Sequence, residues 1–321
     1  MRFFWQALRI ERLAVHYVCI ALALLIITPG CKKGPEGNAA LLIRDLREAT
    51  GNARETERLV GELAKIGEPA IEPLVALFAE DDRLLIDAAS EALSRIPDSV
   101  PVLERVALDR QNRTEVRAMA CTTLSKMQDA RSIDSLLQVS KDPDPQLRPY
   151  AIRALGGLRD QRAFDELVLI LQSGDKDDAG AAGLALGRYG DRRATPIILN
   201  EIRNRQDGRR YAMIAGLGLM RDPAALATLL EVARGKDVQA MTMAIEAIGR
   251  IAETGDSNSR QALLEMISEV GFPGRFDAIL AFGPIATEAD LSVLQKAAND
   301  REAQIRTAAQ RVIDRLVTGQ R

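Results

Sequence analysis

Aromatic rings, histidines and thiols are all scarce in this sequence. Phe, Tyr and Trp make up 4% of 321 residues, with a single histidine (His16), a single tryptophan (Trp5) and three cysteines. A core with few rings must be filled by aliphatic side chains on elements that approach closely, which suits stacked helices. One histidine leaves no conventional Ser-His triad and no His-rich zinc site. Charge of one sign is missing too: 43 basic residues face 45 acidic ones, for a formal net charge of −2. Such a balance does not point to nucleic acid. Long apolar runs are absent except at the N-terminus.

There, Arg2, Arg9 and Arg12 precede an apolar run from Leu13 to Ile27, the pattern of an export signal. The run is shorter than the roughly 20 residues that span a bilayer comfortably. It leads through Thr28, Pro29 and Gly30 into Cys31, and this junction resembles a bacterial lipoprotein signal. The resemblance implies that residues 1–30 are removed and Cys31 is lipidated. The remainder would then be exported and anchored, facing the periplasm. Lys32, in place of the Asp associated with inner-membrane retention, favours the outer membrane. An uncleaved anchor using the same run is the alternative, and it also tethers the chain. Removal of residues 1–30 takes away His16, Trp5 and Cys19. It leaves 40 basic against 44 acidic residues once Arg2, Arg9, Arg12 and Glu11 are set aside, a net charge of about −4. With Cys31 acylated only Cys121 keeps a thiol, so no disulfide framework is expected. Residues 31–38 are polar and contain two glycines, and they read as a tether.

What is abundant is internal repetition. Variants of ALGGLRDQRA at 154–163 recur at 185–194, 216–225 and, more loosely, 247–256. Leu93, Leu124, Leu155, Leu186, Leu217 and Ile248 follow one another at intervals of 31 residues, and Leu63, Phe282 and Ile313 continue the series at intervals of 30 to 34. Four positions before each marker stand Ala89, Ala120, Ala151, Ala182, Met213, Ala244, Ala278 and Ala309. One place on the first helix of nearly every unit is therefore held to a methyl group, which lets neighbouring helices approach. Cys121, Ile152, Ile214, Ile245 and Ile279 complete the apolar face, so Cys121 reads as a small core residue. Five positions after the marker come Asp98, Asp129, Asp160, Asp191 and Asp222, N-cap candidates for a second, Leu-rich helix. Seven before it come Arg117, Arg148, Arg210, Arg275 and Arg306. The expectation is a ladder of bonds between these Arg and Asp columns.

This pattern resembles the HEAT repeat, including the short variety found in phycobilisome lyases. Residues 142–172 carry nearly all of its positions. The resemblance implies an all-α fold: a right-handed α-α superhelix, or HEAT-like solenoid, of about 8–9 helical hairpins over residues 39–321. Helices at 39–50 and 301–317 would cap it. In HEAT-like proteins the second helices line the concave side. Outward residues there, Asp134, Gln138, Lys141, Asn200, Arg203, Glu231 and Arg234, are then candidates for partner binding. Separately, Arg188, Arg192, Arg193, Arg203, Arg205, Arg209 and Arg210 crowd one stretch and form a candidate basic patch for an anionic ligand or lipid headgroup.

No residue pattern calls for a metal or a cofactor, and no catalytic group is singled out. A chromophore-lyase role would need a bilin partner, for which no residue speaks. The sequence therefore reads as a non-enzymatic, membrane-tethered scaffold of the cell envelope that binds a protein partner. The alternative is a sensor or regulatory subunit using the arginine cluster.

Overall fold

A computed structural model describes residues 34–204 and 207–318. Among the described residues there are 18 α-helices and no strand. The signal run, Cys31 and Arg205 lie outside them. The chain forms two compact units, up to Val102 and from Leu103.

The first unit holds α1 (Pro35–Ala49), α2 (Ala53–Ile66), α3 (Glu68–Ala76) and α4 (Arg83–Ser94). Helix α1 starts inside the stretch expected to be a tether. Pro35 occupies its first turn, where its missing N–H costs nothing, and Glu36 complements the N-terminal dipole. Ala39, Ile43 and Leu46 bury its inner face. Asn52 caps α2 by accepting from the Glu55 N–H, and Asp82 caps α4 by accepting from those of Leu84 and Leu85. Gly67 alone joins α2 to α3, at a φ of 73° that residues with a Cβ rarely adopt.

Helix α5 (Val100–Leu108) runs across the division. In the second unit, six hairpins follow it. They are α6 (Thr114–Met127) with α7 (Ile133–Val139), α8 (Arg148–Leu155) with α9 (Gln161–Ser173), and α10 (Lys176–Tyr189) with α11 (Thr195–Asn204). Then come α12 (Arg209–Met220) with α13 (Leu226–Ala233), α14 (Val238–Ala252) with α15 (Ser257–Ser268), and α16 (Arg275–Phe282) with α17 (Leu291–Ala298). Helix α18 (Ala303–Thr318) ends the series. Each first helix packs on the first helix of the next hairpin.

The repeating columns are the core. Markers from Leu63 through Phe282 are 0% exposed, as is every member of the Ala column from Ala89 to Ala309. Several glycines after the marker lie where successive first helices approach closely. A Cβ on Gly156 would lie 2.5 Å from the Ala185 carbonyl oxygen, and one on Gly187 would run into the Gly216 carbonyl. At Gly249 it would meet Ala281 Cβ at 2.9 Å. A side chain at these places would push successive first helices apart.

Within the hairpins, Asp129, Asp160, Asp191 and Asp222 cap the turns by accepting from the backbone N–H two residues on, at 2.8–3.2 Å. Asp98 departs from that expectation. Pro97 begins the short 3-10 turn there and Ile96 takes the cap position, so Asp98 lies inside the turn.

Candidate functional site

The Arg column does not bond to the capping Asp column. Twelve residues separate the two positions, most of them helical, which places them about 18 Å apart at opposite ends of a first helix. The arginines sit at the N-terminal ends, beside the loops that lead into the next hairpin, and they find carboxylates there. Buried Arg117 donates to Asp142 at 2.7 Å and to the Ala107 carbonyl at 2.8 Å. Arg148 holds Asp178 at 2.6 Å together with Asp175. Arg210 pairs with Asp237 at 3.3 Å, and Arg275 donates to Asp300 at 2.6 Å and to the Ile267 carbonyl at 3.0 Å. Arg306 instead donates to the Asp300 and Arg301 carbonyls. The signal for the true partners was a second acidic column: Asp142 and Asp300 stand 18 residues after their markers, Asp175 and Asp237 stand 20 after theirs.

The carboxyls of Asp142 and Asp300 are held below the usual range, whereas burial outweighs the Arg148 bond at Asp178 and raises it. Burial pushes the Asp142 carboxyl up, but the Arg117 bond and the Asp144 N–H pull harder, and it settles below the usual carboxylate range. Asp300 is lowered by the Glu302 N–H and then by Arg275. Burial drives the neighbouring Cys121 thiol the other way, up to about 12, which suits a core residue and not a nucleophile.

All seven candidate partner-binding residues are exposed: Asp134, Gln138, Asn200, Arg203 and Glu231 on the second helices, and Lys141 and Arg234 just past the ends of α7 and α13. Several also cross-link neighbouring layers. Arg162 reaches Asp134 at 2.6 Å, and Lys141 reaches Glu166 at 2.9 Å. Arg203 donates to the Thr228 hydroxyl at 2.7 Å, and Arg234 pairs with Glu269 at 3.3 Å. Exposed pairs of this kind fix spacing more than they stabilise. Between α11 and α13, Arg203, Glu231 and Lys236 rim a cleft of about 450 Å³ whose wall includes Arg210.

The arginines expected to form one basic patch do not act as one. Arg210 is buried against Asp237. Arg209 is held by Asp207, and Arg193 by Asp191 at 2.6 Å with its guanidinium over the Phe164 ring. Arg192 faces Asp222 at 3.9 Å. Arg188 ends a first helix, whereas Arg203 ends a second helix. Clustering in sequence is thus dispersed by the hairpin, and most of the charge is matched locally. Among the described residues no group of three or more His, Cys, Asp or Glu is placed to hold a metal, and no helix is long and apolar enough to cross a membrane.

These features define an α-helical hairpin solenoid. Residues 133–212, within the second unit, match the family profile described as HEAT repeats. No curated protein matches the sequence. Among known structures, a chain in a homology model of the full-length AP-3 complex is 14% identical with a TM-score of 0.50, over 84% of this chain and 55% of that one. The CpcE–CpcF complex of phycocyanin lyase from Nostoc sp. PCC7120 matches at 19% identity and a TM-score of 0.46, over 76% of this chain and 94% of that one. Importin beta matches at 14% and 0.48, over 88% and 44%. At these identities the likeness is one of fold.

Proposed function

We propose that this protein is a non-enzymatic interaction scaffold of the bacterial cell envelope, tethered to a membrane through Cys31 and binding a protein partner along the second helices of its second unit. The observation that carries the reading is the run of exposed side chains presented by successive second helices, among them Gln138, Leu169, Asn200 and Glu231. A surface of that kind holds a large partner through many modest contacts. HEAT-like repeats commonly act in this way. The export reading rests on the arginines, apolar run and Cys31 of the N-terminus.

A photo-reactive residue placed in turn at Gln138, Asn200 and Glu231 tests the scaffold in intact cells. The same protein is expected to be captured from all three positions. Capture only from first-helix positions, or from none, would sink the reading. For the tether, radiolabelled palmitate is expected to mark the wild type and not Cys31→Ser. Membrane retention of an unprocessed, unlabelled wild type would show instead that the apolar run is the anchor.

A further inference from the structure

The first-helix face carries a separate groove of about 660 Å³. Its floor is the small-residue stretch of α10, where Gly180, Ala181 and Leu184 leave the surface low. One wall is Pro149, Tyr150 and Arg153 of α8, and the other is Gly208, Arg209 and Ala212 at the start of α12. The reason for the depression lies in the repeat: where α8 presents Tyr150, the equivalent places on α10 and α12 hold Ala181 and Ala212.

The two ends of the groove differ in charge. At the end nearer the helix N-termini lie Asp177 and Arg209, the latter already satisfied by Asp207. Toward the other end lies Arg153, and the charge of Arg188, one turn beyond Leu184 on α10, is felt there. The Arg153 guanidinium sits 4.7 Å from the centroid of the Tyr150 ring. Burial, with the nearby positive charge of Arg188, holds its pKa below the ordinary arginine value. Among the described residues neither Arg153 nor Arg188 has a carboxylate partner, unlike Arg192, Arg193, Arg209 and Arg210. Arg153, half-buried, and the nearby Arg188 are thus two cations without a carboxylate partner. Beside them Tyr150, 38% exposed, and Pro149 offer an apolar wall.

We propose that this groove is a second docking site, on the first-helix face, for a segment of a partner protein that sets a carboxylate on Arg153 and Arg188 and an apolar side chain against Tyr150, Pro149 and Leu184. Charge complementarity selects the occupant: bidentate guanidinium groups match carboxylates, and an aromatic wall beside them favours a neighbouring apolar residue. A free anion would satisfy the cationic end and leave the apolar length unused. Asp177 sets the direction, disfavouring a second acid at the far end.

Selection of short random peptides displayed on phage, panned on the whole protein, tests this. The selected peptides are expected to pair Asp or Glu with an aromatic or aliphatic neighbour. They should bind Arg153→Gln/Arg188→Gln at least about tenfold more weakly and weaken as salt rises from about 50 to about 300 mM. Tyr150→Ser, a surface change with little risk to folding, should weaken them as well, with helicity by circular dichroism unchanged in all variants. Substitutions at Gln138, Asn200 and Glu231 should leave this binding intact, so the second-helix reading and this one fail separately. Peptides without acidic residues, undiminished binding by the Gln variant, or displacement by millimolar inorganic phosphate would each overturn the proposal, the last by making the site one for a small anion.

Discussion

Arg117 illustrates how much one side chain holds. It is 5% exposed and joins the end of α5 to the loop before α8 through the Ala107 carbonyl and Asp142. Replacing it with Ala leaves buried Asp142 with only the looser contact to Arg110 at 3.8 Å, which should cost about 3 kcal/mol in denaturant unfolding. The pH dependence has a defined sign. Because the folded Asp142 value lies below the unfolded one of about 3.9, the pair's stabilisation is complete above that value and lost as pH falls through the folded value. Wild type should therefore lose more stability than Arg117→Ala between pH 6 and acid, and equal slopes would show the pair to be inert. Cys121 offers a second residue-scale test. With its thiol raised to about 12 and its side chain buried, iodoacetamide at mildly alkaline pH should leave the Cys121 peptide unmodified in native protein and label it in guanidinium, as read by mass spectrometry.

At the scale of helices, glycine does opposite things in different places. Gly187 lies where α10 meets the backbone of α12, and a Cβ there would collide with the Gly216 carbonyl. Gly187→Ala should destabilise by about 1–3 kcal/mol through overpacking, despite the better helix propensity of Ala. Gly61 lies inside α2, where an added methyl group would meet nothing within 4 Å, so Gly61→Ala should stabilise by about 0.5–1 kcal/mol. Thermal unfolding of the two variants reads both signs. Helix boundaries followed local chemistry closely in the hairpin turns, where Asp129, Asp160, Asp191 and Asp222 cap as their spacing implied. The start of α1 did not, because Pro35 and Glu36 serve a helix N-terminus as well as a loop, and burial of Ala39 and Ile43 decides between them.

At the scale of the second unit, nearest-neighbour packing governs stability. The closest approaches at the glycines between first helices join α10 to α12, at Gly187 and Gly216. Amide exchange should accordingly be slowest in these first helices and faster in the short second helices α7 and α17, whose few turns bury less. Uniform protection across the unit would instead mean that it opens all at once. The scaffold reading also belongs to this scale, since an array of exposed second-helix residues has meaning only when several layers stand side by side.

The sequence by itself determined the period, the hairpin and the buried columns, because helix geometry repeats over a few residues and a 31-residue spacing of Leu and Ala records which face is inside. It also marked the capping aspartates, whose bonds reach only two residues along the chain. The tertiary structure decided which charges meet. Arg117 and Asp142 are 25 residues apart in sequence, and Arg148 and Asp178 are 30 apart, so their contact depends on how one layer is set against the next. The same stacking split the arginines of 188–210 between different faces, paired most of the described ones with carboxylates, and brought the charge of Arg188 near Arg153. Short-range order is written in neighbouring residues, whereas a surface is assembled from residues a whole repeat apart.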